Sequence, residues 1–214
     1  MTVLSSQQFP VEPWQTTNPP PFAERKLNPE AIAQRQSARE WIAKNVESSV
    51  EPSEHEGSYV MSSSGINSAI RHKDAPPEFM KQIAPVIEGI DKSVAGSHVK
   101  VNTTAFRGQP KSILAGRKVG DVYSDEGFGS TSLLHRTAAS YAGHEGETVE
   151  VRIPKGTEAS APTMEVNRRM TEGRREGNAD QEILLGRNRQ YRVERLGPHP
   201  RVSVVPRYTQ GKLF

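Results

Sequence analysis

The apolar residues of this 214-residue chain change their period at Gly96, and that change is what most limits the folds open to it. Before it, Phe79, Ile83, Ile87, Ile90 and Val94 recur at helical spacing behind Pro76-Pro77, and Pro85 is expected to remove one helical hydrogen bond and kink the segment. After it, Val99, Val101, Thr103 and Ala105 alternate with Lys100, Asn102, Thr104 and Phe106, the pattern of a half-buried strand. Helices first and short strands afterwards predict an α+β domain rather than an alternating α/β one.

The same rules place the other elements. Asn28-Pro29 is a cap followed by proline at the first helical position, and it predicts a helix from 29 to about 47 with Ile32, Ala38, Trp41, Ile42 and Val46 as its apolar face. The polar stretch from Glu47 to Gly57 reads as a loop, and Ser62 to Ser64 as the cap of a short helix carrying Ile66, Ala69 and Ile70. Strands are expected at 128–132, 147–153, 181–185, 190–196 and 201–205, with one more helix at 134–142. Residues 1–28, rich in Ser, Gln, Thr and Pro and including Pro19-Pro20-Pro21, read as a flexible leader. Residues 29–214 are expected to form a single catalytic domain.

Composition narrows the chemistry. Absence of cysteine excludes disulfides, thiolate metal sites and a cysteine nucleophile. A hydrophobic fraction of 34% is low for a chain packed from end to end, so some segments are expected to be solvated. No apolar run approaches the ~18 residues of a membrane span, and the N-terminus lacks the basic-then-apolar order of a secretory signal. The expectation is therefore no membrane and no conventional export route. The six histidines show no H-x-x-x-H spacing, and neither a phosphate-binding G-x-x-x-x-G-K-[ST] loop nor G-x-G-x-x-G is present. No metal is expected, and a bound dinucleotide would lie in a cleft rather than on a βαβ unit. The net charge is only +3, but residues 167 to 201 hold nine Arg and five acids, or +4 by subtraction. Such a patch suits nucleic acid, phosphate or an acidic protein, although a solvated loop is its commoner explanation.

Three short motifs carry the chemistry. Arg107 closes the alternating strand and precedes Gly108, so a guanidinium stands beside backbone with no Cβ to obstruct a ligand. In Phe128-Gly129-Ser130-Thr131-Ser132 the hydroxyls of Ser130 and Ser132 share a strand face, and Gly127 and Gly129 around Phe128 suggest that something approaches closely. Asp180 and Glu182, two apart before the apolar run Ile183-Leu184-Leu185, face the same way if extended and give paired carboxylates. Two carboxylates that close raise one pKa, which suits one ionised group and one proton acceptor. A cation for a pyrophosphate, a hydroxyl scaffold and a carboxylate for ribose hydroxyls are what cleavage of the nicotinamide–ribose bond of NAD requires.

Taken in this order, the motifs resemble the mono-ADP-ribosyltransferases of the arginine-serine-glutamate class, which includes bacterial toxins and type III effectors. Tyr59 followed by Gly65-Ile66-Asn67 and Ile70-Arg71 is similar to the family's helix ahead of the core. Val151-Arg152-Ile153-Pro154-Lys155-Gly156-Thr157 and Gln190-Tyr191-Arg192-Val193 are similar to its later strands. The resemblance spans about residues 30 to 206 and implies a fold of N-terminal helices followed by two small packed β-sheets around an NAD cleft.

By that resemblance Arg107, Gly108, Phe128, Ser130, Thr131, Ser132 and Glu182 would contact NAD, with Arg107 at phosphate or ribose. Arg107, Ser130, Asp180 and Glu182 would form the catalytic set, Glu182 being the family's catalytic glutamate. Asp180 departs from the Glu or Gln that family members carry there, and its shorter reach leaves open transfer to arginine, simple NAD hydrolysis, or an inactive interaction module. The implied partner is an acceptor protein in a target cell, acidic or nucleic-acid-associated, met by a monomeric bacterial effector. The Arg-rich loop from Asn167 to Asn178 stands where the family recognises its acceptor.

Overall fold

The computed structural model describes residues 9–11, 15, 29–50, 55–162 and 181–206. The helical half comes first, as the period change requires. Helix α1 (Pro29–Asn45) buries Ala31, Gln34, Ala38 and Ile42, whereas Ile32, expected on that face, is exposed. Helix α2 (Glu56–His72) begins well before the serines expected to cap it, because Tyr59 is fully buried in the first turns and stacks edge-on against Phe128 at 5.3 Å. Tertiary burial outweighs the serines' preference for a cap. Helix α3 (Pro77–Ala95) starts behind Pro76 and buries Ile83, Ile87, Ile90 and Val94 as its stripe predicts, whereas Phe79 in its first turn is exposed.

The strand expected to run continuously from Val99 is broken. β1 (Val46–Ser48) pairs antiparallel with β2 (Ser97–Val99) in a small separate sheet, and β3 (Thr103–Pro110) begins only after three intervening residues. At that break the Lys100 N–H donates to Asn45 O and Asn102 Oδ1 accepts from Lys155 N–H, so the backbone is committed elsewhere. The remaining strands are β4 (Val122–Asp125), β5 (Gly129–Ser132), β6 (Gly146–Ile153), β7 (Ala159–Ser160), β8 (Glu182–Leu185), β9 (Arg189–Arg195) and β10 (Arg201–Val204), with helix α4 (His135–Ala142) between β5 and β6. β4 and β7 are too short for their alternation to be read from the sequence.

The strands are ordered β4-β9-β10-β6-β3-β5-β8-β7, with β10 and β6 parallel and the other pairs antiparallel. β3 and β6 share eight register pairs, but β3 and β5 meet only at Phe106↔Ser132. The sheet is therefore two limbs joined at one point, β4-β9-β10-β6-β3 and β5-β8-β7. Two apolar clusters hold them. One joins α1 to the larger limb through Ala38, Ile42, Val149, Val151, Val193 and Val202. The other packs α2 and α3 on Phe128 and Leu184 through Tyr59, Ile66, Ile87 and Ile90. Ahead of α1, Phe9 is buried beneath the Arg152 guanidinium, and the Gln15 carboxamide donates to the carbonyls of Thr104 and Leu133. No helix among the described residues is long and apolar enough to cross a membrane.

Candidate active site

The junction of the limbs places the polar residues. β5 and β8 pair with Ser132 opposite Glu182 and Ser130 opposite Leu184, so Ser130, Ser132, Glu182 and Leu184 share one face. Leu184 anchors that face in the core beneath α2 and α3, and the hydroxyl and carboxylate groups are carried with it. Thr131 points the other way and its Oγ1 donates to the Ile183 carbonyl at 2.7 Å. Ser132 Oγ accepts from the Leu134 N–H, which fixes the exit of β5 toward α4.

Gln181 stands immediately before Glu182 with φ of 38°, and its side chain is wholly buried with no hydrogen-bond partner among the described residues. A left-handed conformation is costly for a residue with a Cβ, and such strain persists only where the surroundings enforce it. Here the Gln181 carbonyl is tied to Leu133 N–H, and the chain turns abruptly into β8. Asp180 lies outside the described residues, as does the Arg-rich loop from Asn167 to Asn178.

Arg107 follows the last point of contact between the limbs. Its guanidinium donates to Asp125 Oδ2 at 2.6 Å, and Arg71 from α2 grips the same carboxylate through Nε at 2.8 Å and Nη2 at 3.0 Å. Burial opposes the charge on Arg107, but Tyr191 and Asp125 outweigh it and raise its pKa. Burial likewise pushes the Asp125 carboxyl up, yet the hydrogen bonds and charges of the two arginines hold it below the usual carboxylate value.

A second network reaches toward Glu182. Asn67 Oδ1 accepts from the Phe128 N–H at 2.7 Å, and Asn67 Nδ2 donates to the Tyr59 hydroxyl at 3.1 Å. The same hydroxyl hydrogen-bonds Ser130 and lies close enough to Glu182 to feel its charge. Burial, and after it that carboxylate, raise the Tyr59 pKa.

These groups line one open cavity of about 380 Å³ between α2, α4 and the strand junction. Arg107, Gly108, Phe128, Ser130, Thr131, Ser132 and Glu182 all border it, together with Tyr59, Asn67 and Arg71 from α2 and the exposed Tyr141 from α4. Its size falls in the ~300–1,000 Å³ range of ligand pockets.

The glycines serve packing. A Cβ on Gly108 would lie 2.2 Å from Ala138 O and 2.4 Å from Ala142 N, so its bare backbone is covered by α4. Around Phe128 the close approaches are internal too: Arg71 and Asn67 crowd Gly127, and the Tyr191 hydroxyl stands 2.5 Å from where a Gly129 Cβ would be.

Sequence reasoning missed Asp125, which sits in a four-residue strand with no legible pattern, and Tyr141, whose exposure on α4 gives no signal before the helix is placed. Among the described residues no group of three or more His, Asp or Glu is placed to hold a metal ion.

Two guanidiniums and a carboxylate thus border one cleft, set where a split sheet meets a helical layer. The model of the ADP-ribosyltransferase exoenzyme family matches residues 38–203, and the chain belongs to that family. It is thus an NAD-dependent ADP-ribosyltransferase of the bacterial toxin type. The fold is shared with the C3 exoenzyme of Clostridium limosum (19% identity, 80% of this chain and 94% of that one, TM-score 0.59). It is shared also with C3stau2 from S. aureus with NAD (17%, 79% and 93%, 0.54) and with the ADP-ribosyltransferase Vis in complex with agmatine (16%, 83% and 85%, 0.58). A comparison with curated protein sequences gives no match. The α+β architecture expected from the period change is the one found, and its packed strands behind N-terminal helices agree with the fold that the resemblance implies.

Proposed function

We propose that the chain transfers ADP-ribose from NAD to an arginine side chain of an acceptor protein, as an effector acting in a target cell. Residues 29–214 act as one catalytic unit behind the 1–28 leader. The observation that carries this reading is the convergence of Arg107, Ser130 and Glu182 on a single cavity.

NAD as substrate supplies a glycosidic bond whose leaving group, nicotinamide, departs with the bonding electron pair and leaves positive charge on the ribose. Arg107 and Arg71 hold the diphosphate, with charge-assisted hydrogen bonds from two guanidiniums. Glu182 accepts from the ribose hydroxyls and sets negative charge beside the ring as the bond breaks. Ser130, held by the Tyr59 hydroxyl, keeps that carboxylate and the ribose in register. Phe128, Thr131 and Ser132 complete the wall. The acceptor nitrogen then bonds to the ribose carbon and gives up its proton, which we assign to Asp180.

Agmatine, present in the Vis structure, is decarboxylated arginine, and its guanidinium is the chemistry proposed for the acceptor. The four arginines at 168, 169, 174 and 175 favour an acceptor with an acidic or nucleic-acid-associated surface.

The test uses labelled NAD with a cell lysate and, separately, with agmatine. Label in protein on arginine, formation of ADP-ribosyl-agmatine, and loss of both in Glu182→Ala are expected. Free ADP-ribose as the sole product would replace transfer by hydrolysis.

A further inference from the structure

We propose that Asp125 is a positioning residue that locks Arg71 and Arg107 into a single diphosphate-binding pair; the inference rests on reading the cavity as the NAD site.

The two arginines come from different layers, Arg71 from the last turn of α2 and Arg107 from β3. Both line the cavity, whereas Asp125 stands behind them and does not. Its carboxylate accepts four hydrogen bonds: Oδ1 from Arg71 Nε and the Gly127 N–H, Oδ2 from Arg71 Nη2 and Arg107 Nη2. The Asp125 side chain is 10% exposed, against 33% for Arg71 and 16% for Arg107. A buried carboxylate so fully engaged has no capacity left for a ligand. Each arginine, in contrast, has five donors and spends only part of them: Arg71 uses Nε and Nη2, the latter also reaching Phe128 O, and keeps Nη1.

Two guanidiniums brought together without a counter-charge repel each other and swing apart. One carboxylate between them removes the repulsion, fixes both planes before the ligand arrives, and leaves the pair with a net charge of +1 for an anion of charge −2. Asp125 thus acts on substrate only through the arginines. Its loss should weaken binding of any ligand bearing the diphosphate and leave bond cleavage at Glu182 nearly untouched.

The experiment measures ADP-ribose binding by calorimetry, together with KM and kcat for NAD hydrolysis, in the wild-type protein and in Asp125→Asn. The variant should bind ADP-ribose at least ~10-fold more weakly and raise KM for NAD to match, with kcat within about threefold of wild type, since a hydrogen-bonded charge is lost. ADP-ribose binding within twofold of wild type would overturn the proposal, and so would a fall in kcat at constant KM.

Where Asp125→Asn does not fold, the cycle of Arg71→Lys, Arg107→Lys and the double variant asks the same question with Asp125 in place. Effects on ADP-ribose affinity that are coupled by ~3-fold or more support the pair, and independent effects overturn it. Failure of the wild-type protein to bind ADP-ribose at all would sink the NAD reading itself, and the inference with it.

Discussion

Ser132 stands directly opposite Glu182 in the antiparallel pairing of β5 and β8. The register of one short ladder therefore decides that the carboxylate faces the cavity. A slip by one residue would turn Glu182 into the core and Ile183 into the cleft. Leu184, fully buried under α2 and α3, makes that slip costly.

Removing the charge at position 182 should separate binding from chemistry. Glu182→Gln keeps the size of the side chain and a hydrogen-bonding group for ribose but places no negative charge beside it. NAD cleavage and transfer are expected to fall by ~100-fold or more, the scale seen on loss of one electrostatic contact made in the transition state, while the Kd for NAD changes little. Steady-state kinetics with calorimetry checks both.

Gly108→Ala should damage stability and site together. The added methyl would meet backbone atoms of α4, Ala138 O at 2.2 Å and Ala142 N at 2.4 Å, and neither can rotate away. Overpacking of this kind costs about 1–3 kcal/mol. A lowered Tm accompanied by a raised KM for NAD is expected, because α4 carries Thr137, Ala138 and Tyr141 to the cavity wall.

Tyr59→Phe removes one oxygen from the interior. Asn67 Nδ2, on a buried side chain, then loses its acceptor and Ser130 its partner. The cost in stability is expected at about 1–3 kcal/mol. A fall in kcat should exceed any change in KM, since the ring still packs on Phe128. Denaturant melts and kinetics distinguish the two effects.

His135 makes stability depend on pH in a defined direction. Burial, and after it the charge of His199, lower its pKa below 6.5, and its ring stacks edge-on against Phe106 at 5.2 Å. The unfolded chain then binds a proton before the folded one, so stability is complete above pH 6.5 and declines as pH falls from 6.5 through the lower folded value. Urea titrations between pH 8 and 5 should show a flatter decline in His135→Gln.

How far the sequence could be read varied with the length of each pattern. β6 and α3 repeat their apolar residues often enough to declare both type and place, and both appear where expected. The start of α2 did not announce itself, because the serines at 62 to 64 offer a cap and only the burial of Tyr59 shows why the helix ignores it. Arg107 was legible as a cation on the strand, although β3 runs on to Pro110 instead of closing at Arg107; its partner Asp125, 18 residues later, was not legible, because no local rule links an acid in a four-residue strand to arginines on two other elements.

Local chemistry along the chain was sufficient to specify helices ahead of strands, which depends on periodicity within a few positions, and the order of its short motifs carried the resemblance to the family. Tertiary structure alone decided that two limbs meet at Phe106 and Ser132, that α4 packs against the Cα of Gly108, and that one buried carboxylate binds two arginines. Those outcomes depend on contacts between residues far apart in sequence, where close packing and the burial of charge, not local preference, select the arrangement.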